Sequence, residues 1–426
     1  MEGDALPRAT DGGPERAVLV GLSADADGGG TLEELTRLAQ TAGASVVGIV
    51  AQRRARANPA TFVGRGKVEE VLARARETGA DLVIVDGELS PAQQRNLERS
   101  LHTKVLDRTA LVLDIFAQRA RTSEGRLQVE LAQMTYLLPR LAGRGGVLSR
   151  LGGGIGTRGP GETKLEVDRR RIRSRITGLE RQIESMRQHR RLQRQVRTEA
   201  ALPVVALIGY TNAGKSSLLN TLTRADVMTA DKLFATLDPT VRKAVLPNRR
   251  PVLFVDTVGF IQKLPHDLVA AFRATLEEVV EADLLVHVID GSHPRWSEQM
   301  AAVEDVLVEL GAAETLRINA INKIDRITRE ALRDIEAEVP GAIPISALRR
   351  LGLVNLLRTI AQRLPDPIRR VSLVIPYTEA GVLAKIYAEG RVLRREDRDD
   401  GTLVEAEVPP RTLERLRPYL REPGTA

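Results

Sequence analysis

Eight consecutive residues near the middle of the chain have the types and spacing of a phosphate-binding loop. They fit the pattern G-x-x-x-x-G-K-[ST] and are Gly209, Tyr210, Thr211, Asn212, Ala213, Gly214, Lys215 and Ser216. An apolar run precedes them and a helical run follows, which is the context that this motif requires. Backbone N–H groups would surround a β-phosphate, Lys215 would neutralise β and γ oxygens, and the Ser216 hydroxyl is placed to bind Mg²⁺. The pattern predicts a nucleoside triphosphate site.

A second group of candidate residues follows the apolar run 252–255 and consists of Asp256, Thr257, Val258 and Gly259. Asp256 suits a role beside the Mg²⁺ ion, and the Gly259 amide is placed to reach a γ-phosphate. The next residue is Phe260, which cannot hydrogen-bond a nucleophilic water as a glutamine would. We therefore predict slow intrinsic hydrolysis that accelerates when a partner positions the water or orders the neighbouring segments.

Two later strand ends carry residues suited to a guanine base. The first comprises Asn322, Lys323, Ile324 and Asp325, and the second comprises Ser346, Ala347 and Leu348. A carboxylate at Asp325 would accept hydrogen bonds from guanine N1–H and the exocyclic amine, whereas adenine would leave this buried carboxylate unpaired. The Ala347 amide would contact guanine O6. All four motifs in this order predict a GTP-selective site.

The elements that must position these residues alternate along the chain. Strand-like runs at 18–21, 45–50 and 82–86 are separated by helical runs at 32–42 and 67–78, which predicts a small parallel-sheet domain. Ser90 and Pro91 predict the capped start of a further helix.

Two apolar stripes at helical spacing then predict an antiparallel coiled-coil hairpin. The first contains Leu127, Leu131, Met134 and Leu138, and the second contains Leu165, Ile172, Ile176, Leu179, Ile183 and Met186. Most arginines of residues 168–175 would lie on outer faces. The connecting residues 142–161 are too rich in glycine to fold alone, so we expect this loop to be functional or disordered.

The positive charge of the chain is concentrated in this predicted hairpin. Residues 140–197 contain 16 Lys and Arg against 5 Asp and Glu, although the whole chain has a net charge of only +7. Such a segment favours phosphate backbones, with a solvated helix face or a simple spacer as the alternative. No aromatic residue lies between Gly143 and Val196, which argues against base stacking and for recognition by shape and charge with strong salt dependence.

The composition predicts an α/β protein of several domains. Hydrophobic residues make up 42% of the chain, there is no cysteine for disulfides or thiolate metal sites, and no apolar run predicts a secretion signal or a membrane span. The predicted limits are a disordered N-terminus at 1–15, an α/β domain at 16–120, the basic hairpin at 121–200, a nucleotide domain at 201–365, and a small α+β module at 366–426. The nucleotide domain should contain a mostly parallel sheet with flanking helices.

The chain resembles the HflX-type GTPases, a class of translation-factor-related P-loop proteins, over nearly its whole length. Beyond the four motifs, the resemblance rests on FVGRGKVEE at 62–70, DRTALVLDIF at 107–116 and GGGIGTRGPGETKLE at 152–166.

The resemblance implies that residues 233–240 form the first switch segment, with Thr236 binding Mg²⁺ when GTP is present. Thr240 is the alternative candidate for this role. Phe234, Ala235, Leu237 and Asp238 flank Thr236 as candidate nucleotide contacts. With Lys215 and Gly259 from the motifs and Thr236 from the resemblance, these three are the candidate catalytic residues. Leu348 stands where the family more often has lysine, which weakens packing on the base.

The resemblance further implies a cytoplasmic, monomeric GTPase that binds the large (50S) ribosomal subunit and its rRNA and splits or rescues stalled ribosomes. The alternative is a ribosome-assembly factor or RNA chaperone that uses GTP as a binding switch. ATP-driven RNA unwinding conflicts with Asn322 and Asp325 unless residues 64–67 form a second phosphate loop. We interpret His287 and His293, which flank Asp290, as structural and not as a metal site, and Trp296 as a packing residue.

Overall fold

The structure, a computed structural model, describes residues 13–23, 29–54, 56–141, 164–199, 202–223, 234, 239–262, 276, 278–364, 369–398, 401–408 and 410–420. Strands in this part of the chain form sheets of four, six and three strands. Residues 1–12 and the glycine-rich loop at 142–161 lie outside the described residues. No described helix has both the length and the apolar character needed to cross a membrane.

The first sheet is parallel, with strand order β2-β1-β3-β4. Its strands are β1 (Arg16–Ser23), β2 (Ser45–Arg53), β3 (Leu82–Val85) and β4 (Lys104–Asp107). Its helices are α1 (Gly29–Thr41), α2 (Arg65–Thr78), α3 (Pro91–Leu101) and α4 (Arg108–Arg119). Successive side chains of a strand point to opposite faces, so Leu19 joins the cluster of Leu35 in α1, while Val20 joins that of Val68 in α2. The predicted parallel sheet is confirmed.

The predicted helix cap at Ser90 is also confirmed. The Ser90 hydroxyl accepts a hydrogen bond from the Gln93 backbone N–H at 3.2 Å, and Pro91 is the first residue of α3. In return the Gln93 side chain accepts from the Ser90 N–H at 2.9 Å. This reciprocal capping box satisfies two of the donors that a helix start leaves without partners.

Two long helices follow, α5 (Ser123–Arg140) and α6 (Lys164–Glu199), and they pack against each other. Leu179 and Ile183 of the predicted α6 stripe are buried, and Arg175 makes a two-pronged ion pair with Glu130 of α5 at 2.7 and 2.9 Å. The predicted α5 stripe is not the most buried face of this helix. Its four residues are half-buried, whereas the buried positions are Gly125, Gln128, Val129 and Ala132. The reason is that α5 also packs on α4, so a second face is covered by the first domain.

The second sheet has the strand order β10-β9-β8-β5-β7-β6, with β6 antiparallel to β7 and the other pairs parallel. Its strands are β5 (Val204–Ile208), β6 (Thr240–Val245), β7 (Pro251–Asp256), β8 (Leu284–Asp290), β9 (Arg317–Asn322) and β10 (Ile343–Pro344). Its helices are α7 (Lys215–Thr223), α8 (Trp296–Glu309), α9 (Arg329–Glu338) and α10 (Leu353–Arg363). The carboxyl ends of β5, β7, β8 and β9 meet at one edge, where ligands bind in open sheets of this type.

The third sheet is antiparallel and has its own core. It consists of β11 (Arg369–Ile375), β12 (Arg391–Arg398) and β13 (Gly401–Val408), with β13 in the centre. Helices α11 (Ala380–Glu389) and α12 (Pro410–Leu416) cover it, and Leu373, Ile386, Val404 and Leu416 share one buried cluster. We assign this module no function.

One buried cluster joins the first sheet domain to the nucleotide domain. It contains Leu35 and Phe116 from the first domain together with Tyr210, Phe234 and Phe260 from the second. The rings of Phe116 and Phe234 meet edge to face, with centroids 4.6 Å apart and planes at 77°. The phosphate-loop side of the second sheet therefore lies directly against the first domain.

Candidate nucleotide-binding site

The loop after β5 has the backbone shape that a phosphate cradle needs. Gly209 and Gly214 have φ values of 147° and 99°, which side chains other than glycine rarely adopt. A Cβ atom at Gly209 would lie 2.3 Å from the Val288 carbonyl oxygen, and one at Gly214 would lie 2.3 Å from Asn322 Nδ2. Both glycines are required by local geometry, independently of any ligand.

Lys215 is folded back onto this loop. Its Nζ donates to the carbonyl oxygens of Gly209 at 3.0 Å and Tyr210 at 2.9 Å, and burial lowers its pKa to about 8. A phosphate group in the cradle would give the ammonium a stronger acceptor than these carbonyls. Lys215 is therefore held at the place where the β and γ oxygens are predicted.

Ser216, the second residue of α7, lies beside Asp256 at the end of β7. The Ser216 hydroxyl donates to Asp256 Oδ2 at 2.6 Å, and Asp256 is fully buried at the end of β7. Thr257 is also buried and donates to the Leu207 carbonyl oxygen at 2.7 Å. The first bond joins α7 to β7 and places a hydroxyl and a carboxylate side by side, which are oxygen ligands of the kind that Mg²⁺ prefers. The second bond joins the residue after β7 to β5.

Gly259 lies against the phosphate loop. A Cβ atom there would be 2.8 Å from Thr211 Cα and 3.1 Å from Lys215 Nζ, so this residue must also be small. Phe260 exchanges backbone hydrogen bonds with the loop, since its N–H donates to Gly209 at 3.2 Å and its carbonyl accepts from Thr211 at 2.7 Å. The Phe260 side chain is buried in the cluster between the domains, and so is that of Val258, two positions earlier in the chain.

The candidate base-binding residues also meet one another. Asn322 donates from Nδ2 to the Ala213 carbonyl oxygen at 2.8 Å, which ties the base loop to the phosphate loop. Lys323 has a left-handed backbone, and its ammonium pairs with Asp290 at 2.6 Å. Ile324 begins a short 3₁₀ turn, which also contains Asp325.

One detail of this region differs from the expectation. Asp325 is exposed, not buried, because it lies in the turn beyond the end of β9 and a base would have to cover it. Its Oδ1 accepts from the Ser346 hydroxyl at 2.5 Å, and this bond lowers the pKa of the carboxyl group. The Ala347 amide, expected to meet guanine O6, donates to Asn322 Oδ1 at 3.0 Å in the structure. Leu348 is 71% exposed.

The first switch segment is described only in part. Phe234 is buried with a positive φ of 54°, whereas Ala235, Thr236, Leu237 and Asp238 lie outside the described residues. Thr240, the competitor of Thr236, begins β6 directly opposite Asp256 in the strand pairing. The choice between the two threonines stays open.

The two histidines that flank Asp290 differ in burial, since His287 is buried and His293 is half-buried. His287 is buried within β8, and burial together with nearby cations lowers its pKa to about 3, so it is neutral at physiological pH. Within the described ranges no three His, Cys, Asp or Glu side chains cluster in a way that would hold a metal ion. Trp296 begins α8 and is half-buried.

No sequence pattern predicted that residues of the first domain lie beside the phosphate loop. Glu34 of α1 accepts a hydrogen bond from the Tyr210 hydroxyl, and Arg108 of α4 donates to the same Glu34 carboxylate. Arg108 belongs to the segment 107–116 that supported the family resemblance, but nothing in its local sequence indicates a partner so far along the chain.

Four family models match successive parts of the chain. Their descriptions are GTP-binding GTPase N-terminal for residues 30–117, GTP-binding GTPase Middle Region for 119–197, 50S ribosome-binding GTPase for 204–323, and HflX C-terminal domain for 331–415. The boundary between the first two models lies where the first sheet domain gives way to the hairpin. The boundary between the second and third models lies where the hairpin gives way to the second sheet.

Relatives match over almost the full chain. The GTPase HflX of Caldanaerobacter subterraneus subsp. tengcongensis is 52% identical, covering 95% of this chain and 94% of the relative. That of Escherichia coli is 43% identical over 87% of this chain and 88% of the relative. A solved GTP-binding protein from Sulfolobus solfataricus in complex with GDP is 26% identical, covering 82% of this chain and 98% of that one, with a TM-score of 0.42. The family models and the long, closely similar relatives show that this chain belongs to the HflX family of GTPases.

Proposed function

We propose that this GTPase binds the large (50S) ribosomal subunit and its rRNA, and splits or rescues stalled ribosomes while GTP is bound. The observation that carries the proposal is the 36-residue helix α6, which bears most of the basic segment and packs against α5. Arg171 and Arg173 are exposed on it, so their charges are available to phosphates. The description of the matching nucleotide domain as a 50S ribosome-binding GTPase supports the same partner.

We propose the nucleotide contacts predicted from the sequence, with Lys215, Thr236 and Gly259 as the catalytic residues. Lys215 and the loop amides would hold the phosphates, and Gly259 would donate to the γ-phosphate. Asp325 would select guanine. The predicted domain limits remain part of this proposal.

Mg²⁺ fits the residues that surround the Ser216 hydroxyl. Asp256 lies 2.6 Å from that hydroxyl, and the described residues around it offer no competing cluster of three acidic or histidine side chains. The ion would be held by Ser216 and Thr236 together with the phosphates, and when bound it neutralises charge on the β and γ oxygens. The chain itself supplies the orientation of the phosphates and of the guanine base.

Sedimentation of 70S ribosomes tests the ribosomal proposal. Purified ribosomes are incubated with the protein and GDP, GTP or a non-hydrolysable GTP analogue, then separated on a density gradient. We expect free subunits with GTP and the analogue and intact 70S particles with GDP, since only the triphosphate engages both Lys215 and Gly259. A Lys215→Ala variant should leave the particles intact.

The gradients also distinguish the alternative function. Intact 70S particles with every nucleotide, combined with co-sedimentation of the protein with precursor particles only, would contradict splitting and favour the assembly or chaperone role. Splitting that proceeds equally with GDP would show that the nucleotide site does not control the activity.

A further inference from the structure

Tyr210 is the second residue of the phosphate loop, yet its phenol group is directed away from the predicted phosphates. It belongs to the buried cluster shared by the two domains. Phosphate binding in such loops uses backbone N–H groups and the lysine, so it needs no side chain at this position. The contacts of the Tyr210 hydroxyl therefore call for a separate explanation.

The hydroxyl bridges two different parts of the molecule. It donates to the Glu34 carboxylate of α1 and accepts from the Gln262 backbone N–H at 2.7 Å. Gln262 lies three positions after Gly259, the residue whose amide is predicted to reach the γ-phosphate. One side-chain oxygen thus connects the first domain to the segment that would distinguish GTP from GDP.

The acidic end of this connection is held in place inside the first domain. Glu34 accepts from Arg108, which also donates to Asp86 at 2.7 Å. Arg108 and Asp86 are each 2% exposed, and the Glu34 side chain is 11% exposed. A carboxylate removed from water in this way is costly unless every neighbour satisfies it, so the cluster fixes the position of Glu34 and hence of the phenol.

The protonation of the phenol agrees with this arrangement. Burial and the adjacent Glu34 carboxylate raise the pKa of Tyr210, so the group keeps its proton at physiological pH and serves as donor and acceptor at once. A phenylalanine at this position would preserve the packing and remove both hydrogen bonds.

We propose that Tyr210 is a positioning residue that links the first domain to the recognition of the γ-phosphate. By holding the Gln262 backbone, the phenol orders the segment that begins at Gly259 before GTP arrives. Ordering a binding segment in advance reduces the cost of binding, and only a nucleotide with a γ-phosphate benefits. By the reciprocity of linked equilibria, GTP must then also affect α1 through Glu34. This proposal depends on the GTPase site alone and not on ribosome splitting.

The first test compares nucleotide affinities of the full chain and Tyr210→Phe. Without the hydrogen bonds of the Tyr210 hydroxyl to Glu34 and Gln262, the Kd for a non-hydrolysable GTP analogue should rise about three- to tenfold. The Kd for GDP should change less than about twofold, which is well below the effect of one hydrogen bond. Equal changes in both Kd values, or no change in either, would overturn the proposal.

Tyr136→Phe is the matched control. Its hydroxyl also donates to a buried carboxylate, Asp107 Oδ1 at 2.8 Å, but this bond joins hairpin helix α5 to the first domain and does not involve the phosphate loop. Both variants should lower Tm to a similar extent, and only Tyr210→Phe should change the ratio of the two Kd values. A ratio altered equally by Tyr136→Phe would show that general destabilisation explains the effect.

A second variant tests the connection to α1. Glu34→Gln alone should change the Kd ratio in the same direction, and it should add nothing in the Tyr210→Phe background, because residues in one network are not additive. Hydrogen exchange of α1 amides should differ between the GTP analogue and GDP in the wild type and not in Tyr210→Phe. Additive effects of the two substitutions, or the same nucleotide response of α1 in both proteins, would contradict the link.

Discussion

Asp325 offers the simplest test of base selection at the scale of one residue. Its hydrogen bond from Ser346 lowers the pKa of its carboxyl group, so the side chain is ionised at neutral pH and can accept two hydrogen bonds from guanine. Because it is exposed in the structure, the substitution should affect binding more than folding.

We expect Asp325→Asn to weaken GTP binding about 10- to 100-fold, since the amide keeps one acceptor oxygen and leaves one of the two guanine donors facing an NH2 group. Xanthosine triphosphate carries a carbonyl oxygen where guanine has the amine, so its affinity should rise. Titrations with GTP and with xanthosine triphosphate measure both changes in affinity. Asp334→Asn, which removes an exposed carboxylate from α9, is the control and should bind as wild type. Unchanged affinity for GTP in Asp325→Asn would rule out the proposed base contact.

The long helix α6 carries the proposed partner contact at the scale of an element. Its predicted outer face is confirmed at Arg171 and Arg173, which are exposed, while Leu179 and Ile183 are buried. A helix that is buried along one stripe keeps its charges at fixed positions on the other side. Phosphate contacts made from such a face should show the salt dependence of counterion release.

The double variant Arg171→Glu and Arg173→Glu should bind isolated 50S subunits more weakly. The plot of the logarithm of the binding constant against the logarithm of the salt concentration should become shallower. The magnitude of its slope should decrease by about 1.4 to 1.8, which corresponds to two phosphate contacts. Filtration or sedimentation binding across a range of salt concentrations measures both quantities. Arg329→Glu with Arg333→Glu makes the same charge change on the exposed face of α9 and should behave as wild type. An equal loss in both double variants would mean that net charge, not the hairpin, drives binding.

At the scale of the whole molecule, the position after Gly259 carries Phe260, whose side chain cannot orient a water by a hydrogen bond. Phe260 is buried between the domains, and its ring has no hydrogen-bonding group. We therefore predict that hydrolysis depends on an outside contribution, either a group supplied by a partner or an ordering of the segments beside the γ-phosphate.

We expect the isolated protein to hydrolyse GTP slowly and 50S subunits to raise kcat by at least about tenfold, as seen when partners complete GTPase sites. Steady-state phosphate release, with and without subunits, is the measurement. The Arg171→Glu and Arg173→Glu double variant should keep the slow intrinsic rate and lose the stimulation. An isolated protein as fast as the ribosome-bound one would contradict the role assigned to Phe260.

Local patterns in the sequence were sufficient to predict the motifs and most of the helices and strands. The phosphate loop, the strand ends and the Ser90 cap depend on neighbouring residues, so their patterns are visible without the fold. The edge strand β12 was not predicted, because its sequence RVLRREDR is charged and mostly exposed on both faces and therefore lacks apolar alternation. The four apolar residues proposed as the α5 seam were only half-buried, because a helix covered on two sides has no single stripe.

The sequence by itself determined that this chain has a guanine-nucleotide site and a basic helical hairpin, since both are encoded in short spacings and local composition. The tertiary structure alone decided that Tyr210 meets Glu34, a residue 176 positions away. It also decided that Phe116 packs on Phe234 and that Asp325 lies exposed in its turn. Contacts between distant segments depend on how two sheets pack together, and no periodicity within either segment records that packing.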